Sequence, residues 1–214
     1  MYIPAHFEET RIEILHELMR NHPLATLVTL SADGLNANHI PLELDPEPTP
    51  FGTLRGHVAR ANPVWRDFNS DVEAMVIFQG ANSYISPSWY ATKKETGKVV
   101  PTWNYAVVHA YGALKIIEDT TWLRALIERL TNHHETEKET PWKVSDAPEN
   151  YLNPLLKAIV GIEIPITKIS GKWKVSQNQP YANRIGVVDG LRELKEEKAE
   201  TIAAVIESHA PPSK

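Results

Sequence analysis

Residues 84–112 combine the side-chain types from which a ligand-binding wall could be built. Their sequence, YISPSWYATKKETGKVVPTWNYAVVHAYG, places tyrosine and tryptophan rings beside Ser, Thr, Asn and His, and Pro87 and Pro101 bracket a lysine-rich loop at residues 93–98. Aromatic rings supply contact area, and their polar tips supply hydrogen bonds. The pattern indicates two strands that form a ligand-binding wall, although such rings are also common in ordinary strands. The residues alone leave both interpretations open.

Arg60 and Asn62 lie in a second candidate site, where a strand meets a helix. Residues 53–59, TLRGHVA, are typical of a strand and run directly into Arg60-Ala61-Asn62-Pro63, in which proline suits the first turn of a helix. A guanidinium beside unpaired backbone amides could hold a phosphate. Asparagine is also a common helix cap, so these residues alone favour an exposed arginine with a capping asparagine.

Other familiar catalytic arrangements are absent from the sequence. It contains no cysteine, which excludes disulfides, thiolate metal sites and a cysteine nucleophile. It has no glycine-rich phosphate loop, no HExxH and no GxSxG. His133 and His134 are adjacent, and neighbouring side chains on a helix diverge by about 100°, so a solvated helix end is favoured over a metal site.

The elements that must position these residues are mostly short strands. The pattern predicts an amphipathic helix before Pro23, a hairpin with strands at 24–30 and 35–44, and strands at 53–59 and 73–80. Two further strands flank the loop at 93–98, and the second continues to Glu118. Helices follow at about 120–134 and 148–159, and then a last hairpin with arms GIEIPITKIS and WKVSQN that turns at Gly171-Lys172. We predict a mainly β fold with peripheral helices, arranged as an antiparallel barrel.

The length, composition and net charge of the chain limit the classes of protein to which it can belong. The 214 residues are 42% hydrophobic and 23% charged, as expected of a soluble globular chain. The net charge of -5 does not indicate the positively charged surface with which proteins usually bind nucleic acids. No apolar run reaches the roughly 20 residues that a membrane span needs, and the N-terminus has no signal-peptide pattern. We therefore expect a cytoplasmic protein that does not enter a membrane.

Six motifs in register resemble the PaiB-type family of FMN-binding transcriptional regulators, which are split-barrel flavoproteins related to pyridoxamine phosphate oxidases. The motifs are MYIPAHFEE, HIPLEL, GTLRGHVARANPVW, YISPSWY, VPTWNYAVVHAYG and GKWKVSQNQP. The resemblance implies a homodimer of split β-barrels with FMN in a cleft at the dimer interface, and negative regulation of protease production and sporulation. It covers residues 1–194, which we take as one FMN-binding domain, followed by a helical tail at 195–214.

The resemblance also implies which residues contact the cofactor. Arg60 and Asn62 correspond to the segment that holds the flavin phosphate, and a guanidinium can donate two parallel hydrogen bonds to it. The residues expected to bind FMN are His57, Arg60, Asn62, Ser86, Trp89, Tyr90, Thr102, Trp103, Asn104, Lys172, Ser176, Gln177 and Asn178. Lys174 is the alternative to Lys172 in this set.

The sequence leaves the use of the flavin open. A regulator would couple FMN or its redox state to a partner, whereas an oxidoreductase would pass electrons to an unknown small-molecule substrate. A haem-handling protein is the third hypothesis, with His39 or His109 as the candidate ligand. No helix carries the basic face of a DNA reader, so contact with DNA could be direct or indirect.

Overall fold

Residues 1–209, which the computed structural model describes, form two units built on antiparallel strands. Within the described residues, the first unit contains Met1–Leu18, Gln79–Val108 and residues 170–209, and the second contains Met19–Phe78 and His109–Ile169. The strands are β1 (Glu8–Glu9), β2 (Leu24–Ser31), β3 (Gly34–Pro41), β4 (Glu43–Asp45), β5 (Thr53–Ala59), β6 (Ala74–Ile85), β7 (Thr102–Gly112), β8 (Lys115–Ile117), β9 (Ile159–Pro165) and β10 (Lys168–Lys174). The helices are α1 (Ile12–Asn21), α2 (Lys93–Thr96), α3 (Thr120–Glu135), α4 (Glu149–Lys157), α5 (Tyr181–Glu193) and α6 (Glu197–Ser208).

The first unit is a sheet with helices packed on it. Its strands run in the order β1-β10-β7-β6, and Leu15 and Leu18 of α1 are buried against them. Helices α5 and α6 bury Leu191 and Ile202 in the same unit. Full burial of each such side chain contributes about 1.5–3 kcal/mol. These apolar contacts hold the first unit together.

The second unit contains two strand groups. In one, β2 pairs with β3 and with β6, and the β2–β3 hairpin turns at Gly34, whose φ of 113° is favourable only without a Cβ. In the other, the strand order is β4-β5-β9-β8, with Leu54 of β5 opposite Ile164 of β9. The strands predicted at 24–30 and 53–59 are confirmed.

The helix predicted after Glu118 is also confirmed, together with its start. The Asp119 carboxylate accepts hydrogen bonds from the backbone N–H groups of Thr121 at 2.7 Å and Trp122 at 3.3 Å. A capping carboxylate of this kind contributes about 1 kcal/mol. The helix predicted at about 120–134 therefore corresponds to α3 (Thr120–Glu135), which Asp119 caps.

The prediction of a separate strand around Tyr84 is wrong. The preceding strand, β6, continues to Ile85, and the chain then turns through a short 3-10 helix at Pro87–Trp89 that Ser86 caps. Proline has no N–H for a sheet and is preset for the first turn of a helix, so Pro87 ends the strand. The predicted loop at 93–98 contains the one-turn helix α2.

The predicted last hairpin is also wrong. Strand β9 pairs with β5 and β8, whereas β10 lies beside β1 and β7 in the order of the first unit. Gly171, interpreted as a turn residue, lies inside β10, where a Cβ would come within 2.2 Å of Leu15 Cδ2. Glycine is present there because α1 packs close to the strand, and the sequence alone could not separate that role from a turn.

Helices α5 and α6 occupy most of the segment that follows β10. Residues 195–209 of the predicted tail include all of α6, and its residues 210–214 lie outside the described part of the chain. Within residues 1–209 we find no helix whose length and apolar character would let it cross a membrane.

Candidate functional site

A cavity of about 400 Å³ lies within the first unit. Three sequence segments that are far apart in the chain supply most of its wall, namely residues 90–92, 98–104 and 174–183. Its lining residues are Phe7, Tyr90, Thr92, Lys98, Val99, Val100, Pro101, Thr102, Asn104, Lys174, Ser176, Asn178, Gln179, Pro180 and Asn183. The volume is within the range of small-molecule sites.

The first wall follows the 3-10 helix at Pro87–Trp89. Tyr90 is 5% exposed, and burial raises the pKa of its phenol, so the hydroxyl stays protonated at neutral pH and can donate a hydrogen bond. Trp89 is turned to α5, where a Cβ on Gly190 would come within 2.4 Å of the indole. Glycine at this position lets the helix approach the ring, which fixes the backbone that carries Tyr90.

The second wall joins the start of β7 to the end of β10. The buried Asn104 Nδ2 donates to Ser176 Oγ at 2.8 Å. Ser176 has a φ of 64°, which costs a non-glycine residue about 1–3 kcal/mol. The turn is held by Gln177, whose Oε1 accepts from the Val175 N–H at 2.8 Å and whose Nε2 donates to the Trp173 carbonyl. Gln177 therefore positions Ser176 and does not line the cavity.

Lys174 supplies positive charge to the cavity wall. Its Nζ donates to Thr102 Oγ1 and, at 2.7 Å, to the carbonyl oxygen of Trp103. Burial of the amine, followed by the charge of Lys172, lowers the pKa of Lys174. Both of these hydrogen-bond partners are uncharged, so the positive charge of the ammonium is not balanced by them.

Helix α5 closes the cavity through Asn183. This side chain is 3% exposed; its Oδ1 accepts from the Thr92 N–H at 3.1 Å, and its Nδ2 donates to Gln179 Oε1 at 3.2 Å. The bonds tie the segment after Tyr90 to the turn before α5. Asn183 therefore fixes two of the lining segments relative to each other.

Five of the thirteen predicted residues line this cavity: Tyr90, Thr102, Asn104, Ser176 and Asn178. Lys174, the alternative to Lys172, also lines it.

Five other predicted residues belong to the first unit but lie outside the lining. They are Ser86, Trp89, Trp103, Lys172 and Gln177. Trp103 is 51% exposed, and its indole donates to Asn82 Oδ1 at 3.2 Å. Lys172 is buried, and its Nζ donates to the carbonyl of Tyr2 at 3.1 Å. Their contact with FMN stays a prediction.

His57, Arg60 and Asn62 belong to the second unit. The Arg60 guanidinium donates to the Lys157 carbonyl at 2.8 Å, to Glu118 Oε1 at 2.6 Å and to the Ile159 carbonyl at 3.3 Å. A phosphate would have to compete with these acceptors, and Glu118 already balances the charge. The prediction that Arg60 holds the phosphate stays untested.

In the second unit, Asn62 and His57 are surrounded by other groups of the protein. Asn62 caps a short 3-10 helix, accepting from the Val64 N–H at 3.0 Å, and its Nδ2 donates to Asn38 Oδ1 at 2.8 Å. His57 lies opposite Gly161 in the β5–β9 pair, and burial lowers the pKa of its imidazole. The capping role is the one that the residues alone favoured.

Several lining residues were missed by the sequence analysis. Gln179 and Pro180 directly follow the predicted residues, and a proline before a helical pattern marks the helix terminus that faces the cavity. Lys98 lay in the loop that was interpreted only as a connection. Phe7 and Asn183 are distant in sequence and had no local signal.

Several solved structures share the fold of this chain. The FAD and heme binding protein from Mycobacterium smegmatis superposes with a TM-score of 0.57 and 16% identity, covering 78% of this chain and 73% of that one. The flavocytochrome Anf3 from Azotobacter vinelandii gives a TM-score of 0.51 and 13% identity, covering 80% and 72%. The fold is therefore the predicted one, a mainly β split barrel with peripheral helices.

Sequence comparison defines the family. The sequence model of the family described as "Putative FMN-binding domain" matches residues 1–168. The protease synthase and sporulation protein PAI 2 of Bacillus subtilis is 31% identical, with 97% of each chain covered. An uncharacterized protein of Emericella nidulans is 37% identical, with 96% of each chain covered. The chain belongs to this FMN-binding family, and the expected PaiB-type relationship is confirmed.

Proposed function

We propose that the cavity of the first unit binds FMN. The observation that carries this proposal is that the YISPSWY, VPTWNY and GKWKVSQNQP segments, each expected to contact the cofactor, meet around one cavity of about 400 Å³. Family membership names FMN as the ligand class. A cavity of this size encloses a small molecule from several sides.

The lining has the donors and surfaces that FMN needs. Its isoalloxazine ring requires an apolar or aromatic surface with a few amide or hydroxyl partners at the polar edge. Tyr90 and Phe7 supply rings, Asn104 and Ser176 supply an amide and a hydroxyl, and Lys174 supplies positive charge. Bound FMN would contribute one- or two-electron transfer chemistry.

The test is a flavin titration of the purified full-length chain. We expect FMN to bind with a shift of its near-visible absorbance and a change of its fluorescence. The variant Asn104→Leu removes the buried amide and should weaken binding, whereas Asn36→Leu, at an exposed position of β3, should not. A protein that leaves both signals of FMN unchanged would contradict the proposal.

We further propose that the protein acts as a homodimer with the flavin near the subunit interface. Tyr84 and Trp103 are 48% and 51% exposed and meet edge to face at 6.2 Å. Exposed paired aromatic rings are typical of surfaces that are covered by a partner. Sedimentation with bound FMN tests this, and a monomer with full FMN occupancy would contradict an interface site.

We propose a PaiB-like role in negative regulation, performed in the cytoplasm. Its support is the 31% identity with PAI 2, a protease synthase and sporulation protein. The net charge of -5 favours an indirect effect on transcription over direct contact with DNA. An electrophoretic shift of promoter DNA at physiological salt by micromolar protein would contradict the indirect route.

A further inference from the structure

Arg184 is a buried cation without a counter-charge in the described part of the chain. The side chain is 8% exposed, and its Nε and Nη1 atoms are buried and have no hydrogen-bond partner. The other buried lysine or arginine of residues 1–209 is Lys172, which donates to the carbonyl oxygen of Tyr2 at 3.1 Å. Arginine stays protonated in proteins, and a buried charge without a partner is strongly destabilising.

The position of Arg184 in α5 makes its charge less favourable still. It is the fourth residue of this helix, and the side chains of a helix lean towards its N-terminus. Its Cζ atom lies 5.7 Å from the centre of the ring of Tyr181, the first residue of the helix. The helix dipole places partial positive charge at that end, whereas the first turn contains no acidic residue and no side chain caps it. The guanidinium and the helix terminus therefore both lack negative charge.

Arg55 shows how this protein balances a less deeply buried guanidinium. Its nitrogen atoms bond to the carboxylate of Asp45 at 2.6 Å and to that of Glu163 at 3.0 Å. Arg184 is more deeply buried and has no carboxylate partner among residues 1–209. An acceptor from outside this part of the chain would remove the cost of burying the charge.

The flavin is not the expected source of that acceptor. Arg184 is not among the residues that line the cavity of the first unit, and the family resemblance assigns the flavin phosphate to Arg60 and Asn62. Tyr181, whose ring lies beside the guanidinium, is 64% exposed. A ligand could therefore approach Arg184 from the solvent side of α5.

We propose that Arg184 and the first turn of α5 bind an oxyanion, namely the carboxylate or phosphate group of a small molecule other than the flavin. The guanidinium fork matches the oxygen atoms of both groups. The first N–H groups of the helix, which have no acceptor within it, supply further donors. The exposed ring of Tyr181 offers an apolar surface to the rest of the ligand. This site does not depend on the binding of FMN.

The test measures thermal unfolding of the full-length chain in sodium phosphate, sodium acetate or sodium chloride at equal ionic strength, with and without FMN. A ligand that binds the folded state raises Tm, so phosphate or acetate should raise it by about 2 °C or more relative to chloride. The anion with the larger effect identifies the group. An equal Tm in the three salts, or an effect that disappears when FMN is bound, would overturn the inference. A protein that binds no flavin still reports the anion effect, so the two proposals fail separately.

Arg184→Met distinguishes a ligand site from a structural role. It removes an unpaired buried charge and keeps an unbranched side chain, so Tm in chloride should rise by about 2 °C or more. The additional rise in phosphate or acetate should disappear. A lower Tm in chloride, failure to fold, or an anion effect equal to that of the wild type would overturn the inference.

Two controls complete the experiment. Arg192→Met removes an arginine of the same helix that already has Glu200 and Glu207 as partners, and it should keep the anion effect. Because phosphate also stabilises proteins non-specifically, the difference between the two variants is the decisive quantity. Sedimentation of Arg184→Met should match that of the wild type. A change of oligomeric state would assign the missing carboxylate to a partner subunit and overturn the small-molecule site.

Discussion

Two basic residues of this chain, Arg60 and Lys174, have opposite electrostatic surroundings. Arg60 follows β5 and has all three guanidinium nitrogens bonded to protein acceptors, one of them the carboxylate of Glu118. Lys174 ends β10 and lines a cavity, and in the described part of the chain its acceptors are neutral, namely Thr102 Oγ1 and the Trp103 carbonyl. A cation that already has a carboxylate partner has less need of an anionic ligand than one whose acceptors are neutral, although an exposed ion pair adds little to stability. Position in a motif does not make this distinction.

The largest effect on stability is expected from a substitution at the contact between α5 and Trp89, beside the cavity. Gly190→Leu places a side chain where the Cβ alone would lie 2.4 Å from the Trp89 indole. We expect the free energy of unfolding to fall by about 3 kcal/mol, the upper part of the range for overpacking. Urea denaturation measures this, with Ala182→Leu on the exposed side of α5 as the control. Equal stability of the two variants would show that α5 does not need its close approach to Trp89.

Asn183→Ala should have the next largest effect, because it removes the link between two cavity segments. The side chain is 3% exposed and bonds to Thr92 and Gln179. Leaving the part-buried Thr92 N–H unpaired should lower the free energy of unfolding by about 1–2 kcal/mol. FMN affinity should fall as well, since the wall loses its fixed geometry. Unchanged affinity in a destabilised protein would separate Asn183 from the site.

Arg60→Ala should destabilise the second unit by about 1–2 kcal/mol, because three hydrogen bonds of a partly exposed side chain are lost. If Arg60 serves only the fold of the second unit, FMN affinity changes little. If the expectation from the family resemblance holds, the same variant loses about 1.5–3 kcal/mol of FMN binding. Parallel denaturation and flavin titrations distinguish the two results, and Glu118→Gln tests the loss of the counter-charge alone.

The smallest effect concerns pH, and it differs between the two units. Burial lowers the pKa of His22, His57 and His109 in the second unit. Below pH 6.5 the unfolded chain therefore binds more protons at these residues, and the free energy of unfolding falls as the pH drops through that window. In the variant His57→Phe, the free energy of unfolding should fall less between pH 6.5 and pH 5 than it does in the wild type. If the free energy of unfolding depends on pH in the same way in the variant and in the wild type, His57 does not contribute to that dependence.

In the first unit, Lys174 makes the free energy of unfolding depend on pH in the alkaline range. Its pKa is lowered from 10.5 by burial and by Lys172, so the unfolded chain binds more protons just below pH 10.5. The stability contribution of this group therefore rises as the pH increases through that window. Lys174→Gln should remove this rise, which denaturation between pH 8 and 10.5 would detect. A rise that persists in the variant would mean that another base causes it.

The elements that local chemistry specifies were predictable. Alternating or continuous apolar residues defined β2 and β5, and apolar residues at helical spacing defined α3, whose cap the structure assigns to Asp119. The errors fall where one residue type has two structural uses. Pro87 ends a strand by starting a 3-10 helix, and Gly171 allows close packing by Leu15 although glycine usually signals a turn.

The sequence by itself determined the fold class, the family and the four segments that were expected to reach the cofactor, because periodicity and ordered motifs are local properties. Tertiary structure decided which of those residues share a cavity. It placed Asn183 against Thr92, 91 positions away in sequence, and it gave Arg60 a carboxylate partner, whereas Lys174 has none among residues 1–209. Charge balance depends on distances between residues that are remote in the chain, so only the folded protein distinguishes the two cations.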